Sequence, residues 1–212
     1  MTDEAMTDAA MGDGPETGPD GRPMAGPFDR AAWRAWLIEH HPRSSGVHLV
    51  SWRRGAGRTS VSYEESVEEA LCVGWIDSVA GRLDETRSLQ WFSPRRPRSG
   101  WARSNKERVE RLTAAGLMLP AGLAAIEEAK WTGTWTVLDD VENLVVPEDL
   151  AAALDASPPA RQHWEAFPRS PRRAILEWIV QARRPETRAR RIAQVAQYAA
   201  RNERPPQFRP RD

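Results

Sequence analysis

The chain has 212 residues, 40% of them hydrophobic and 28% charged, which is enough apolar material for one generous domain or two small ones. Its 30 basic and 30 acidic residues cancel to a formal net charge of zero, a balance that argues against a protein devoted to nucleic acid. No segment approaches the roughly 18 to 20 uninterrupted apolar residues of a membrane span, the polar start lacks the apolar part of a secretory signal, and the lone cysteine, Cys72, excludes an internal disulfide. The expected address is cytoplasmic, with no membrane insertion.

The zero net charge conceals an asymmetry. Residues 1–27 carry six acids against Arg22 alone, whereas residues 161–212 carry thirteen arginines against five acids. Residues 1–27 are rich in Gly, Pro, Asp and Thr without periodicity and read as a disordered acidic leader. Asp29 then caps a helix with Trp33, Trp36 and Leu37 on one face, ending before Pro42. Gly46 to Arg53 alternates as a strand does, and Thr59 to Ser62 reads as a second, shorter one. Ser62-Tyr63-Glu64-Glu65 is a capping box that opens a helix to about Val73, with Gly74 as its left-handed terminator. A hairpin follows, Trp75 to Ala80 and Glu85 to Phe92 about a turn at Gly81; the two-residue period puts Trp75, Asp77 and Val79 on one face.

Pro94 to Gly100 cannot be regular structure, because its prolines remove donors and restrict the residues before them. It is a basic loop. A helix to Ala115 comes next, then another from Pro120 to about Lys130, a turn at Trp131-Thr132-Gly133-Thr134-Trp135, and a link over Asp139 to Val146. The last third reads as helices over 147–154, 160–167, 171–183 and 186–201, with Pro205 onward a flexible tail. The fold class is therefore α+β: a small antiparallel sheet with packed helices over 28–145, then an all-helical part over 146–203 and a tail over 204–212.

Among the ten tryptophans, Trp33, Trp36, Trp164 and Trp178 follow the helical period and belong to the core. Trp75, Trp91 and Trp101 instead flank an acid and the basic loop, where a planar ligand could stack. Arg95, Arg96, Arg98, Arg103, Lys106, Arg108 and Arg111 form a basic run that reads either as a solvated face or as an anion clamp. Asp77, a carboxylate beside an indole, is the candidate general acid or base, against a structural ion pair with a loop arginine. No phosphate loop, dinucleotide fingerprint, nucleophile elbow or zinc helix is present, so no cofactor is expected, and His40-His41 would need outside ligands to hold a metal.

Three spaced motifs, Gly74-Trp75-Ile76-Asp77, then Ser93 to Trp101 with Asn105-Lys106-Glu107-Arg108-Val109, then Trp178-Ile179 with Ala182 and Glu186-Thr187-Arg188, resemble the YdeI-like, OmpD-associated bacteriocin-protection family. The resemblance runs from about residue 28 to 201. It implies a cytosolic bacterial protein with an α+β body, a helical C-terminal part and a protective role. The chain departs from the pattern at Trp101-Ala102, where Trp-Ser is expected, at Ala182-Arg183, where Ala-Lys is expected, and at His48, where an aromatic residue is usual.

Taken together, the residues describe a small-molecule-binding protein for a planar or anionic compound. Trp75 and Trp101 would stack on it, with Trp91 beside them. Arg95, Arg96, Arg108 and Arg188 would hold its anionic groups, and Ser99 and Asn105 would donate hydrogen bonds. Two alternatives stay open, a cofactor-independent enzyme using Asp77 and a nucleic-acid-binding protein. The excess of aromatic residues leaves a homodimer open as well.

Overall fold

The computed structural model describes residues 17–209. Contacts divide the chain into two units: one takes in the described residues up to Arg95 together with Gly116–Leu123, the other Arg96–Ala115 and the described residues from Ala124 onward. The class is α+β, with a four-stranded sheet in the first unit and a helical second unit.

In the first unit, α1 (Arg30–His40) starts where the Asp29 carboxylate accepts the Ala32 N–H at 2.8 Å. Its apolar face buries Trp33 and Leu37 completely. Helix α2 (Tyr63–Cys72) opens on the expected capping box: the Ser62 hydroxyl accepts from Glu65 N–H at 3.3 Å, and the Glu65 carboxylate accepts from Ser62 N–H at 3.0 Å. It ends at Gly74, whose φ of +76° is left-handed. The sheet order is β1-β2-β4-β3, formed by β1 (Met24–Ala25), β2 (Val47–Trp52), β3 (Trp75–Arg82) and β4 (Arg87–Pro94). Three strands pair antiparallel and β1 joins β2 in parallel, which makes the sheet mixed.

Several sequence expectations change here for identifiable reasons. Within the stretch read as a leader, residues from Thr17 onward form a bridge from Thr17 to Pro23 and then β1. Asp20 meets His48 Nε2 at 2.9 Å and the Arg22 guanidinium lies 4.8 Å over Trp91, tertiary contacts that composition does not encode. The remainder of the leader, residues 1–16, and the tail's residues 210–212 lie outside the described residues. Thr59 to Ser62 joins no ladder; Val61 N–H donates to Phe28 O at 2.7 Å, Ser60 Oγ accepts from Trp52 N–H at 3.0 Å, and Ser62 is spent on the cap. The β3–β4 turn is organised by Asp84 rather than Gly81: its carboxylate accepts the Thr86 and Arg87 N–H groups, each at 2.8 Å, and the Arg87 guanidinium at 2.6 Å. A bulge between Asp77 and Ala80 interrupts the two-residue alternation, and Val79 is 65% exposed instead of sharing the face of Trp75 and Asp77.

A buried charge cluster ties α1 to α2. Glu69 is 3% exposed and its carboxylate takes Arg30 Nε at 2.6 Å and Arg34 Nη1 at 2.5 Å, while Arg30 also reaches Glu68 at 3.0 Å. Cys72 is fully buried, and burial pushes its thiol pKa up. Its carbonyl accepts from Leu119 N–H at 3.0 Å and faces Gly122 at the start of α4 (Pro120–Trp131).

The second unit holds α3 (Arg103–Ala114), the rest of α4, α5 (Asp139–Glu142), α6 (Glu148–Asp155), α7 (Ala160–Ala166), α8 (Arg169–Val180) and α9 (Pro185–Ala200). Helix α9 packs on α6, α7 and α8 around Leu150, Leu154, Trp164, Ile175, Ile179 and Val195, and presents Ile192, Val195 and Ala199 inward as the periodicity predicts. The stretch read as a link contains α5, because Leu138 and Val141 are drawn into that core. Helix α8 starts at Arg169 behind Pro168, slightly before the expected Ser170-Pro171. No described helix is long and apolar enough to cross a membrane.

Candidate functional site

In the first unit, Asp77 and Arg95 come together. Asp77 accepts from the Tyr63 hydroxyl at 2.9 Å. Burial pushes the Arg95 pKa down to about 10, and the negative charge of Asp77 acts against that shift. The hairpin register explains the encounter: Trp75 stands opposite Pro94, and Arg95 N–H donates to Gly74 O at 3.0 Å. Trp75 itself is 1% exposed and edge-on to Trp36, so in this packing its faces are covered by protein. Trp91 is half-buried, between the Arg22 guanidinium and the His48 ring.

The remaining predicted residues lie in the second unit. Arg96 is exposed, and its carbonyl accepts both the Ser99 hydroxyl and the Ser99 N–H at 2.9 Å, which closes the proline-rich loop on itself. Trp101 is 2% exposed and packs on Trp135 with ring centroids 5.0 Å apart. Asn105 accepts from Arg108 at 2.8 Å. Arg188 makes a two-pronged pair with Asp149, at 2.6 and 2.9 Å, which holds the Asp149 carboxyl below its ordinary range. Its cation is already matched by an anion of the protein.

The same unit contains a cleft of about 710 Å³ whose walls come from three stretches: Arg98 and Gly100, the segment from Trp131 to Leu138, and Val180 to Arg183 between α8 and α9. Its size falls in the range of small-molecule sites. Gly100 is what lets the loop lie on the wall, since a β-carbon there would stand 2.7 Å from Leu138 Cγ. The 131–138 wall begins with a turn stitched to the end of α4. Thr132 Oγ1 donates to Glu128 O at 2.8 Å and lies 3.1 Å from Thr134 Oγ1, and Trp135 N–H donates to Ala129 O at 3.0 Å. Polar groups from Thr132, Thr134 and Gln181 also line the space.

Several cations of this unit already have partners within it. Arg103 bonds Asn143, Lys106 pairs with Asp139, Arg173 with Glu142, Arg161 with Asp155, and Arg188 with Asp149. Arg98 and Arg183, both exposed and both on the cleft, have no carboxylate partner among the described residues. Sequence reasoning placed Arg98 in the basic run but passed over Trp131, the last residue of α4, and Arg183, in the segment before α9, as site residues. The one signal available for Trp131 was an indole set among Thr and Gly with no periodic partner. Among the described residues no group of three or more His, Cys, Asp or Glu side chains is placed to hold a metal ion.

The helices that carry Val180 to Arg183 also carry the link to known proteins. Residues 143–202 match the family described as Bacteriocin-protection, YdeI or OmpD-Associated. This OmdA match is the family that the spaced motifs resemble. Residues 27–125 match a second family, described as a domain of unknown function, DUF8412. No curated protein and no solved structure matched the chain. The cleft draws Arg98 and Gly100 from the first matched stretch, Val180 to Arg183 from the OmdA stretch, and Trp131 to Leu138 from between them. The departure from the family pattern at Arg183 therefore falls on the cleft wall.

Proposed function

We propose that this protein captures a small organic anion in the Trp131–Arg183 cleft, and that the capture serves, in the cytoplasm, a protective role of the kind named in the OmdA family description. The observation that carries the reading is the convergence of two motif stretches, around Gly100 and around Ala182, on one cleft with two arginines that no carboxylate of the described chain neutralises. A guanidinium left with its donors open on a concave, partly apolar surface favours a carboxylate or phosphate over a neutral guest. Arg96 and Ser99 shape the loop that presents Arg98, a supporting role for two of the residues the sequence singled out.

Native mass spectrometry of protein isolated gently from its own host tests this. The expected result is a co-purifying acid on the wild type that is missing from an Arg98→Ala/Arg183→Ala variant. Identical spectra for the two proteins would contradict the reading.

A second reading has its own observation, the contact of Asp77 with the Tyr63 hydroxyl and the nearby Arg95 charge. A carboxylate so placed could serve as a general acid or base without a cofactor. Turnover of a bound compound that disappears in a folded Asp77→Asn variant would favour it.

A further inference from the structure

Resting on the anion-capture reading, we infer that the ligand of the cleft is an aromatic acid, its ring lying on Trp131 and its acid group held by Arg98 and Arg183. Trp131 lines the cleft yet is 88% exposed, the highest exposure among the large hydrophobic side chains of the described residues. Four residues away, Trp135 shows how the same turn treats an indole that belongs to the protein: it is packed on Trp101, with Lys106 and Lys130 at 5.4 and 5.9 Å from its ring. Trp131 receives no such cover. Its exposure is not a consequence of a loose segment either, since Thr132, Thr134 and Trp135 bind the turn to the carbonyls of Glu128 and Ala129.

An indole left in water on a backbone already held in place is a stacking surface for a flat ring, with little backbone left to order when the ring arrives. The cleft that it borders has apolar wall from Val137, Leu138 and Val180, and cations only at Arg98 and Arg183. A flat ring with one acidic group satisfies the indole, the apolar wall and the guanidiniums together. An aliphatic acid would leave the indole unused, and a neutral aromatic would leave the cations unmatched.

Calorimetric titration with 2-naphthoate and with its saturated counterpart, decahydro-2-naphthoate, tests this on the wild type and on Trp131→Ala and Arg183→Ala. Stacking predicts that 2-naphthoate binds about five- to tenfold more tightly than the saturated acid, and that Trp131→Ala abolishes the difference. Because Trp131 is exposed, the variant keeps the wild-type fold, which circular dichroism checks. Equal affinity for the two acids, weakened alike by Arg183→Ala, would overturn the aromatic assignment and leave anion capture standing. No binding of either acid would overturn both. Loss of self-association in Trp131→Ala with no ring preference would assign the indole to a contact between copies of the chain and overturn the inference.

Discussion

Gly100 lies against Leu138 so closely that a β-carbon on Gly100 would stand 2.7 Å from Leu138 Cγ. The contact brings the basic loop onto the same wall as the turn that follows α4, and it makes the cleft sensitive to a single methyl group. Gly100→Ala is expected to destabilise the protein by about 1–3 kcal/mol through overpacking. It is also expected to weaken anion binding, since Leu138 and Val137 must shift. Denaturant titration and calorimetry on the same preparation read both effects.

Gly122 poses a sharper conflict between propensity and packing. In a helix interior, alanine is favoured over glycine by about 1 kcal/mol, yet a β-carbon on Gly122 would stand 2.4 Å from the Cys72 carbonyl oxygen. Backbone cannot swing aside as a side chain can, so packing decides the sign. Gly122→Ala is expected to lower the unfolding midpoint in spite of its better helix propensity. A raised midpoint would mean that α2 and the start of α4 separate easily.

Glu69 separates buried from exposed ion pairs. Removing its charge with Glu69→Gln leaves Arg30 and Arg34 facing each other without their shared carboxylate. The expected loss is about 3 kcal/mol, the lower end for breaking a buried pair, because both guanidiniums also reach water. Asp155→Asn, at the exposed pair with Arg161, is expected to cost far less, since solvent screens that pair. Equal losses from the two substitutions would show that burial does not set the value of these pairs.

Acid sensitivity follows from two carboxylates of the helical unit. Arg173 holds Glu142, and Arg188 holds Asp149, below their ordinary ranges. A carboxylate whose folded pKa is depressed adds stability that is present above its unfolded pKa and lost as pH falls through the folded value. Stability is therefore expected to drop below about pH 4, and Glu142→Gln with Asp149→Asn to flatten that drop, as thermal melts from pH 7 to pH 3 would show. Both groups border solvent, so the flattening is modest.

The sequence is most informative where a rule is local. Asp29, the Ser62–Glu65 box and Gly74 act within four residues of themselves, and all three behave as their residue types predict. The inward stripe Ile192, Val195 and Ala199 was equally visible, because a helical period needs no knowledge of the partner. What escaped was decided by distant contacts. Strand β1 exists because Asp20 and Arg22 find His48 and Trp91, and Thr59 to Ser62 is no strand because its neighbours take its polar groups one at a time. The site shows the same division. The proline-rich loop was legible as a presenter of arginines, whereas Trp131 and Arg183 become neighbours of that loop only through the packing of the second unit.

Substituting Asp77 separates the two functional readings. If the cleft alone carries binding, Asp77→Asn leaves the affinity for 2-naphthoate unchanged while removing the negative partner of the Tyr63 hydroxyl and of Arg95. A large change in affinity with the fold intact would move the working surface to the first unit.

The location of the site is tested most directly by the indole N–H resonances of the ten tryptophans, followed by two-dimensional NMR during titration with 2-naphthoate and assigned by single Trp→Phe substitutions. The account predicts that the Trp131 resonance moves with saturation while those of Trp75 and Trp101, sealed in the protein interior, stay in place. Movement of Trp75 or Trp101 with Trp131 unchanged would contradict it.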